Sequence, residues 1–269
     1  LRAIGAWQHL DASRLTPVHA MHIRGDAGGA LDFDAADTGA SELAWIAEAG
    51  LIQRELWESL KRQGNLQLFC PAAPQALQLD GGTARLTLAD GRVLEADLLV
   101  AADGAGSWVR RQAGLEALNL DYGETGVVAN FACAKPHRNA AFQWFRDDGV
   151  LAWLPLAEDC ISVVWSTPEA HARVLLDLPA EAVAGRVAAA GDGCLGALTL
   201  LAPAAGFPLR FLRVPRIVAP HLALVGDAAH AVHPLSGHGI NLGFADARRL
   251  AGILGALAPH ERCGDERPL

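Results

Sequence analysis

No run of lysine and arginine in this 269-residue chain reaches five residues, and the net charge is −8, so the basic footprint of a nucleic-acid binder is missing. Nucleic acid is excluded as a partner on that ground. The five cysteines, Cys70, Cys133, Cys160, Cys194 and Cys263, stand far apart without a CxxC pair, and their odd number argues against a disulfide framework. They read as reduced thiols of a cytoplasmic protein. No stretch approaches the roughly 18 uninterrupted apolar residues needed to cross a bilayer, and no basic segment with an apolar core opens the chain as a secretion signal. Ser107 lies near Asp103, but a GxSxG elbow is absent and no third residue is placed, which removes the serine-hydrolase reading.

What is present suits one large or two smaller globular domains: 51% of residues are hydrophobic and 19% charged. Residues 1–17 read as the end of a helix followed by a loop, the pattern of a chain that starts inside a longer one. Two short strands are expected within 15–34 around the turn Asp26 to Gly29. A helix follows, because Leu51, Ile52, Leu56, Trp57 and Leu60 recur at helical spacing before Gly64. Residues 66–102 alternate around turns at Asp80-Gly81-Gly82 and Asp90-Gly91. That pattern predicts a strand at "LQLF" and a three-stranded meander whose last strand, 98–102, is apolar throughout and buried on both faces. "SWVRRQAG" (107–114) starts a helix.

Residues 122–166 predict an antiparallel sheet with a hairpin at Asp147-Asp148-Gly149; 168–190 predict one or two helices, and 198–214 return to strand. A buried strand at 222–225 leads into a helix over 239–257, and 259–269 form a polar end. The fold class is therefore α/β in an α+β mixture. The first and last pieces combine into one discontinuous domain, with the central sheet as a second.

The chemistry concentrates at two strand ends. In "LALVGDAAHAVHPLSGHGINLGF" (222–244), Gly226 and Asp227 stand at the carboxyl end of an apolar strand, where open α/β sheets bind ligands. A carboxylate there accepts hydrogen bonds from ligand hydroxyls. Pro234 breaks the segment, Gly237 and Gly239 let the backbone approach a flat ligand, and the following helix start offers unpaired N–H groups and a positive dipole end. "LLVAADGAGSWVRR" repeats the logic with Asp103-Gly104. His230, His233 and His238 cluster in the first motif, but no carboxylate or thiol at ligand spacing completes a metal site. His230 and His233 either hydrogen-bond locally or line the ligand pocket, where they are the candidate catalytic groups. Arg110, Arg111, Arg248 and Arg249 read as exposed helix charges, with contact to a nucleotide phosphate or an acidic lipid surface as the alternative. Phe142, Trp144, Phe145, Trp153 and Trp165 lie in the central sheet, as core or as substrate-facing aromatics.

Together these stretches resemble the paired Asp-Gly and Gly-Asp motifs of the single-component FAD-dependent aromatic hydroxylases. "YGETGVVANFACAKPHRNAAFQWFR" is similar to the branch that acts in ubiquinone biosynthesis, and the likeness covers almost the whole chain. It implies a Rossmann-like FAD/NAD(P)-binding domain, incomplete here, formed by 1–114 and 213–269, with 15–40 able to pack on the substrate sheet, and an inserted substrate domain at 115–212. By the same resemblance Asp227 holds the ribityl chain of FAD. Pro234 with Gly237, Gly239 and Ile240 lines the isoalloxazine ring, Asn241 and Gly243 begin the adjoining helix, and Asp103 and Gly104 serve the pyrophosphate and NAD(P)H.

The implied reaction is NAD(P)H- and O2-dependent hydroxylation of the ring of a polyprenyl phenol or quinone precursor. Implied surroundings are a ubiquinone-biosynthesis complex and the inner membrane face, with a homo-oligomer also compatible. A small soluble phenol is the alternative substrate, and a non-catalytic lipid- or quinone-binding scaffold the alternative function. Two departures bear on the scaffold. No GxGxxG fingerprint occurs, so the first βαβ unit and the last helices of the family pattern are expected to be missing, weakening FAD binding. Glu48-Ala49-Gly50 stands where the branch usually has Glu-Asn-Arg, and His238 where it has Gln.

Overall fold

The computed structural model describes residues 1–80, 82–258 and 260–265, with the side chain of Ser236 excluded. The expected turn at 80–82 and the polar end at 259–269 therefore lie partly outside the described residues.

In chain order the strands are β1 (Leu15–Val18), β2 (Ala20–Arg24), β3 (Ala30–Asp34), β4 (Ala44–Ala47), β5 (Pro74–Gln78), β6 (Ala84–Leu88), β7 (Val93–Ala96), β8 (Leu99–Ala101) and β9 (Leu118–Cys133). They continue as β10 (Ala140–Arg146), β11 (Gly149–Pro155), β12 (Cys160–Pro168), β13 (Leu198–Leu200), β14 (Ala205–Arg213), β15 (Val218–Ala219), β16 (Leu222–Leu224) and β17 (His230–Ala231). The helices are α1 (Ala35–Thr38), α2 (Ala49–Lys61), α3 (Trp108–Gln112), α4 (Glu169–Asp177), α5 (Ala180–Ala190) and α6 (Gly239–Gly255). Residues 1–14 form three short 3-10 turns instead of the end of a longer helix.

Two compact units emerge, Leu1–Leu68 with Gly123–Leu209, and Phe69–Tyr122 with Arg210–Leu269. The first is built on a sheet in which β14, β9, β12, β11, β10, β2 and β3 are successive neighbours. Within that run β9 with β12, β12 with β11, β11 with β10 and β2 with β3 pair antiparallel, while β2 with β10 runs parallel from Ala20↔Ala140 to Arg24↔Trp144. Strict alternation sets one face: Val127, Phe131, Leu151, Trp153, Ile161, Val163 and Trp165 are buried together with Leu175 of α4 and Val183 and Val187 of α5. Trp144, Trp153 and Trp165 are thereby core residues, each large apolar side chain stabilising by roughly 1.5–3 kcal/mol on burial. Phe145 stays exposed. The helices can lie this close because Gly191 has no side chain: a Cβ there would stand 2.3 Å from the Trp153 ring.

In the second unit β5, β6 and β7 form the meander. Two expectations fail here. Residues 66–69 are not strand, and residues 98–102 do not continue the meander: β8 leaves it to pair in parallel with β16, Leu99↔Leu222 to Ala101↔Leu224. Along β8, at an edge of the three-stranded sheet β15-β16-β8, Leu99 and Ala101 pack inward while Val100 between them faces the other way and is 42% exposed rather than buried. The central strand β16 is fully buried, as its apolar run requires. Both strands that lead into the Asp-Gly and Gly-Asp motifs thus lie side by side. Helix α6 carries no buried residue, and no helix among the described residues is long and apolar enough to cross a membrane.

Candidate functional site

The parallel pairing of β8 and β16 ends both strands at one edge, so the loops at 103–107 and 226–230 start next to each other, with Val225 N–H donating to Ala101 C=O at 3.0 Å. In the first loop Gly104 sits at φ +82°, and Asp103 turns back on the helix it precedes. Its Oδ2 accepts from Trp108 N–H at 2.8 Å and Val109 N–H at 3.1 Å, while Ser107 Oγ accepts from Arg110 N–H. Partial burial pushes the Asp103 carboxyl up. The Ser107 hydroxyl and the backbone N–H groups of Val109 and Trp108 outweigh it and hold the carboxyl below its ordinary range.

The second loop begins at Gly226, whose φ of +59° is a backbone state that favours glycine. Its N–H donates to Asp246 Oδ2 at 2.9 Å, and His230 Nε2–H donates to the same oxygen at 2.6 Å. Ala228 and Ala229 are buried, and Ala229 is fixed on both sides, its N–H to Gly226 C=O and its C=O to Val214 N–H. Asp227 alone points outward: it is exposed, and its carboxylate makes no hydrogen bond or ion pair among the described residues. His233 meets Tyr122 edge-on, ring centroids 5.1 Å apart.

Beyond the loop, Pro234 opens a short 3-10 turn closed by Gly237 at φ +62°. Asn241 Nδ2 donates to Gly237 C=O at 3.1 Å, and helix α6 then starts at Gly239 with no side-chain cap. Helix starts left without a side-chain cap present N–H groups that suit an electron-rich ligand. At Gly104, Gly237 and Gly239 a Cβ would meet no atom within 4 Å, so the space beside these backbones is open. Ile240 is half exposed.

The burial of Arg110, the role of Asp246 and the packing role of Gly243 escaped the sequence. Arg110 was expected on the surface, yet it is only 7% exposed and ties the two loops, donating 2.8 Å hydrogen bonds to Ala228 C=O and Ala105 C=O. Arg111, Arg248 and Arg249 are exposed. Asp246 and the packing role of Gly243 carried a usable signal: with Gly239 they lie four and seven residues along one helix face, opposite a loop that begins with glycine. A Cβ on Gly243 would stand 3.4 Å from Gly226 Cα.

The FAD binding domain family model matches residues 1–262. The chain belongs to that family. It is 33% identical over 254 residues to 3-demethoxyubiquinol 3-hydroxylase of Escherichia coli, which covers 94% of this chain and 65% of that protein. It is also 33% identical to the mitochondrial ubiquinone biosynthesis monooxygenase COQ6 of Drosophila melanogaster, covering 96% of this chain and 62% of the relative. The chain thus spans less than two thirds of the length of these relatives. Among solved structures it resembles pqsL, a probable FAD-dependent monooxygenase from Pseudomonas aeruginosa, with a TM-score of 0.81, 25% identity, and 94% and 72% of the two chains covered.

The donor set in the second unit fits the cofactor for which the family is named. An outward carboxylate suits ligand hydroxyls, an uncapped helix start suits electron-rich oxygens, and open glycine backbones admit a flat ring. Glu48 lies in the first unit, where it immediately precedes α2 and pairs with Arg14. Among the described residues no three His, Cys, Asp or Glu side chains are grouped to hold a metal ion.

Proposed function

We propose that this chain is part of an FAD-dependent monooxygenase that hydroxylates the aromatic ring of a polyprenylated ubiquinone precursor, using NAD(P)H and O2. The observation that carries this is the outward Asp227, without a partner among the described residues, beside the start of α6, in a chain one third identical to enzymes named for ubiquinone hydroxylation. FAD, once reduced by NAD(P)H, supplies the activation of O2. In this reading Asp227 accepts hydrogen bonds from the ribityl hydroxyls. Gly237, Gly239, Ile240 and Asn241, with Pro234, border the isoalloxazine ring, where the first N–H groups of α6 favour negative charge. Asp103 acts indirectly, holding α3 so that Gly104 faces the pyrophosphate and NAD(P)H side. His230 is held by Asp246 and His233 by its ring contact, which suits pocket walls better than proton carriers.

A polyprenyl tail is insoluble in water, so the reading includes docking at the inner membrane face, within an assembly of ubiquinone-forming enzymes. Cosedimentation with anionic vesicles tests that part. The activity is tested by titrating purified protein with FAD, following NAD(P)H oxidation with a polyprenyl phenol, and locating 18O from 18O2 in the product. Label in the ring of the polyprenyl phenol supports the proposal. Label only in a short soluble phenol moves the substrate class, and FAD binding without NAD(P)H oxidation refutes the monooxygenase.

A further inference from the structure

We propose that Asp246 is the positioning residue of the 226–230 loop, holding it in the shape that turns Asp227 toward the ligand and so setting affinity for FAD through Asp227. The proposal rests on the flavin reading of this site. One carboxylate oxygen does two things at once: Asp246 Oδ2 takes the Gly226 N–H and the His230 ring N–H, fixing the loop at its first and last residues. The two anchor points bracket Asp227, Ala228 and Ala229. Helix α6 brings the carboxylate into range because Gly243, one turn earlier, lets the helix approach Gly226 without a side chain between them.

The other polar groups of the loop point inward as well. Val225 N–H goes to Ala101 C=O, Ala228 C=O to Arg110, and Ala229 to Gly226 and Val214. With both ends held and the middle buried, the only side chain left to face outward is the Asp227 carboxylate. Without Asp246 the left-handed Gly226 loses the acceptor for its amide, and the loop gains alternative states in which Asp227 is displaced. The ordering cost of returning to the binding shape then falls on FAD binding.

The test compares Asp246→Ala and Asp246→Asn, each made alone and together with Asp227→Ala. FAD affinity is read by fluorescence titration, and amide exchange at 225–231 is read by mass spectrometry without FAD. Asp246→Ala is expected to weaken FAD at least tenfold and to speed exchange at Gly226. Asp246→Asn, which keeps an acceptor oxygen, should recover most of the affinity. In the Asp227→Ala background Asp246→Ala should cost less than twofold, because its effect passes through Asp227.

An equal loss in both backgrounds, or unchanged exchange at Gly226, overturns the positioning role. Should the alanine variant fail to fold, Asp246→Leu, which fills the space of the carboxylate but accepts no hydrogen bond, carries the same comparison in the two backgrounds. A wild-type chain that takes up no FAD overturns the flavin reading itself, and is distinguished from loss of coupling because no variant is involved.

Discussion

Replacing Arg110 by methionine keeps most of the side-chain volume and removes the guanidinium that ties the two loops. Two hydrogen bonds to carbonyl oxygens are lost, at Ala105 and Ala228, each worth about 1.5–3 kcal/mol when the donor is charged. Part of that is returned, because burial and the neighbouring Arg111 already disfavour charge at this position and hold its pKa below the usual value. The net loss should be about 2–4 kcal/mol, or roughly 5–15 °C in the melting of the second unit. Arg110→Lys should fall between, since one ammonium cannot span two carbonyls in a fixed fork. Amide exchange resolves the claim better than a melting curve, because it reports each loop separately: peptides over 103–110 and 226–230 should loosen together. A stability change below about 0.5 kcal/mol, or loosening confined to 103–110, would refute the reasoning that Arg110 joins the loops.

Other perturbations probe the frame around the site. Asp103→Ala should cost about 1 kcal/mol at pH 7 through loss of the N–H acceptor at the start of α3. Because the folded carboxyl is held low, its contribution is present above the unfolded pKa and disappears as pH falls through the folded one; urea curves of the two proteins should converge only at a pH below the ordinary carboxylate range. Gly149→Ala should abolish soluble protein or lower its melting point sharply, since a Cβ at φ +121° would stand 2.0 Å from Ser166 C=O; an unchanged melting curve contradicts the tight hairpin. Burial pushes the Cys133 thiol up to about 11, so iodoacetamide at pH 8 should modify exposed Cys70 well before it, and mass spectrometry of early time points decides. Gly264→Ala should free the chain end from His221, whose Nδ1 would lie 2.2 Å from the new Cβ, and speed exchange of the His221 amide.

Local chemistry carried much of the fold in the sequence. The alternation of β10, β11 and β12 and the Asp-Gly turn between the first two were legible, as was the helical spacing of α2. Pairing partners were not. Nothing in "LLVAA" distinguishes a third meander strand from an edge strand parallel to residues over a hundred positions later, nor shows that Val100 stands on an uncovered face. Residues 66–69 alternate like a strand yet find no partner. At the site, Asp227 and the glycines announce themselves by type and position. Arg110 does not, because two adjacent arginines on a short helix look alike until the helix face is fixed by Val109 and the neighbouring loop.

The parallel pairings set an order on synthesis. Strand β2 takes its second neighbour, β10, roughly 120 residues later in the chain, so at about 5–20 residues per second it waits for many seconds on the ribosome. Until then it has only the β3 hairpin, and an isolated two-stranded ribbon is marginal in water. Its mate carries Leu31 and Phe33, exposed even in the finished fold. The nascent first unit is therefore open to proteases and to chaperone capture until the residues of β10 emerge from the exit tunnel, and β8 endures the same delay until β16 is made.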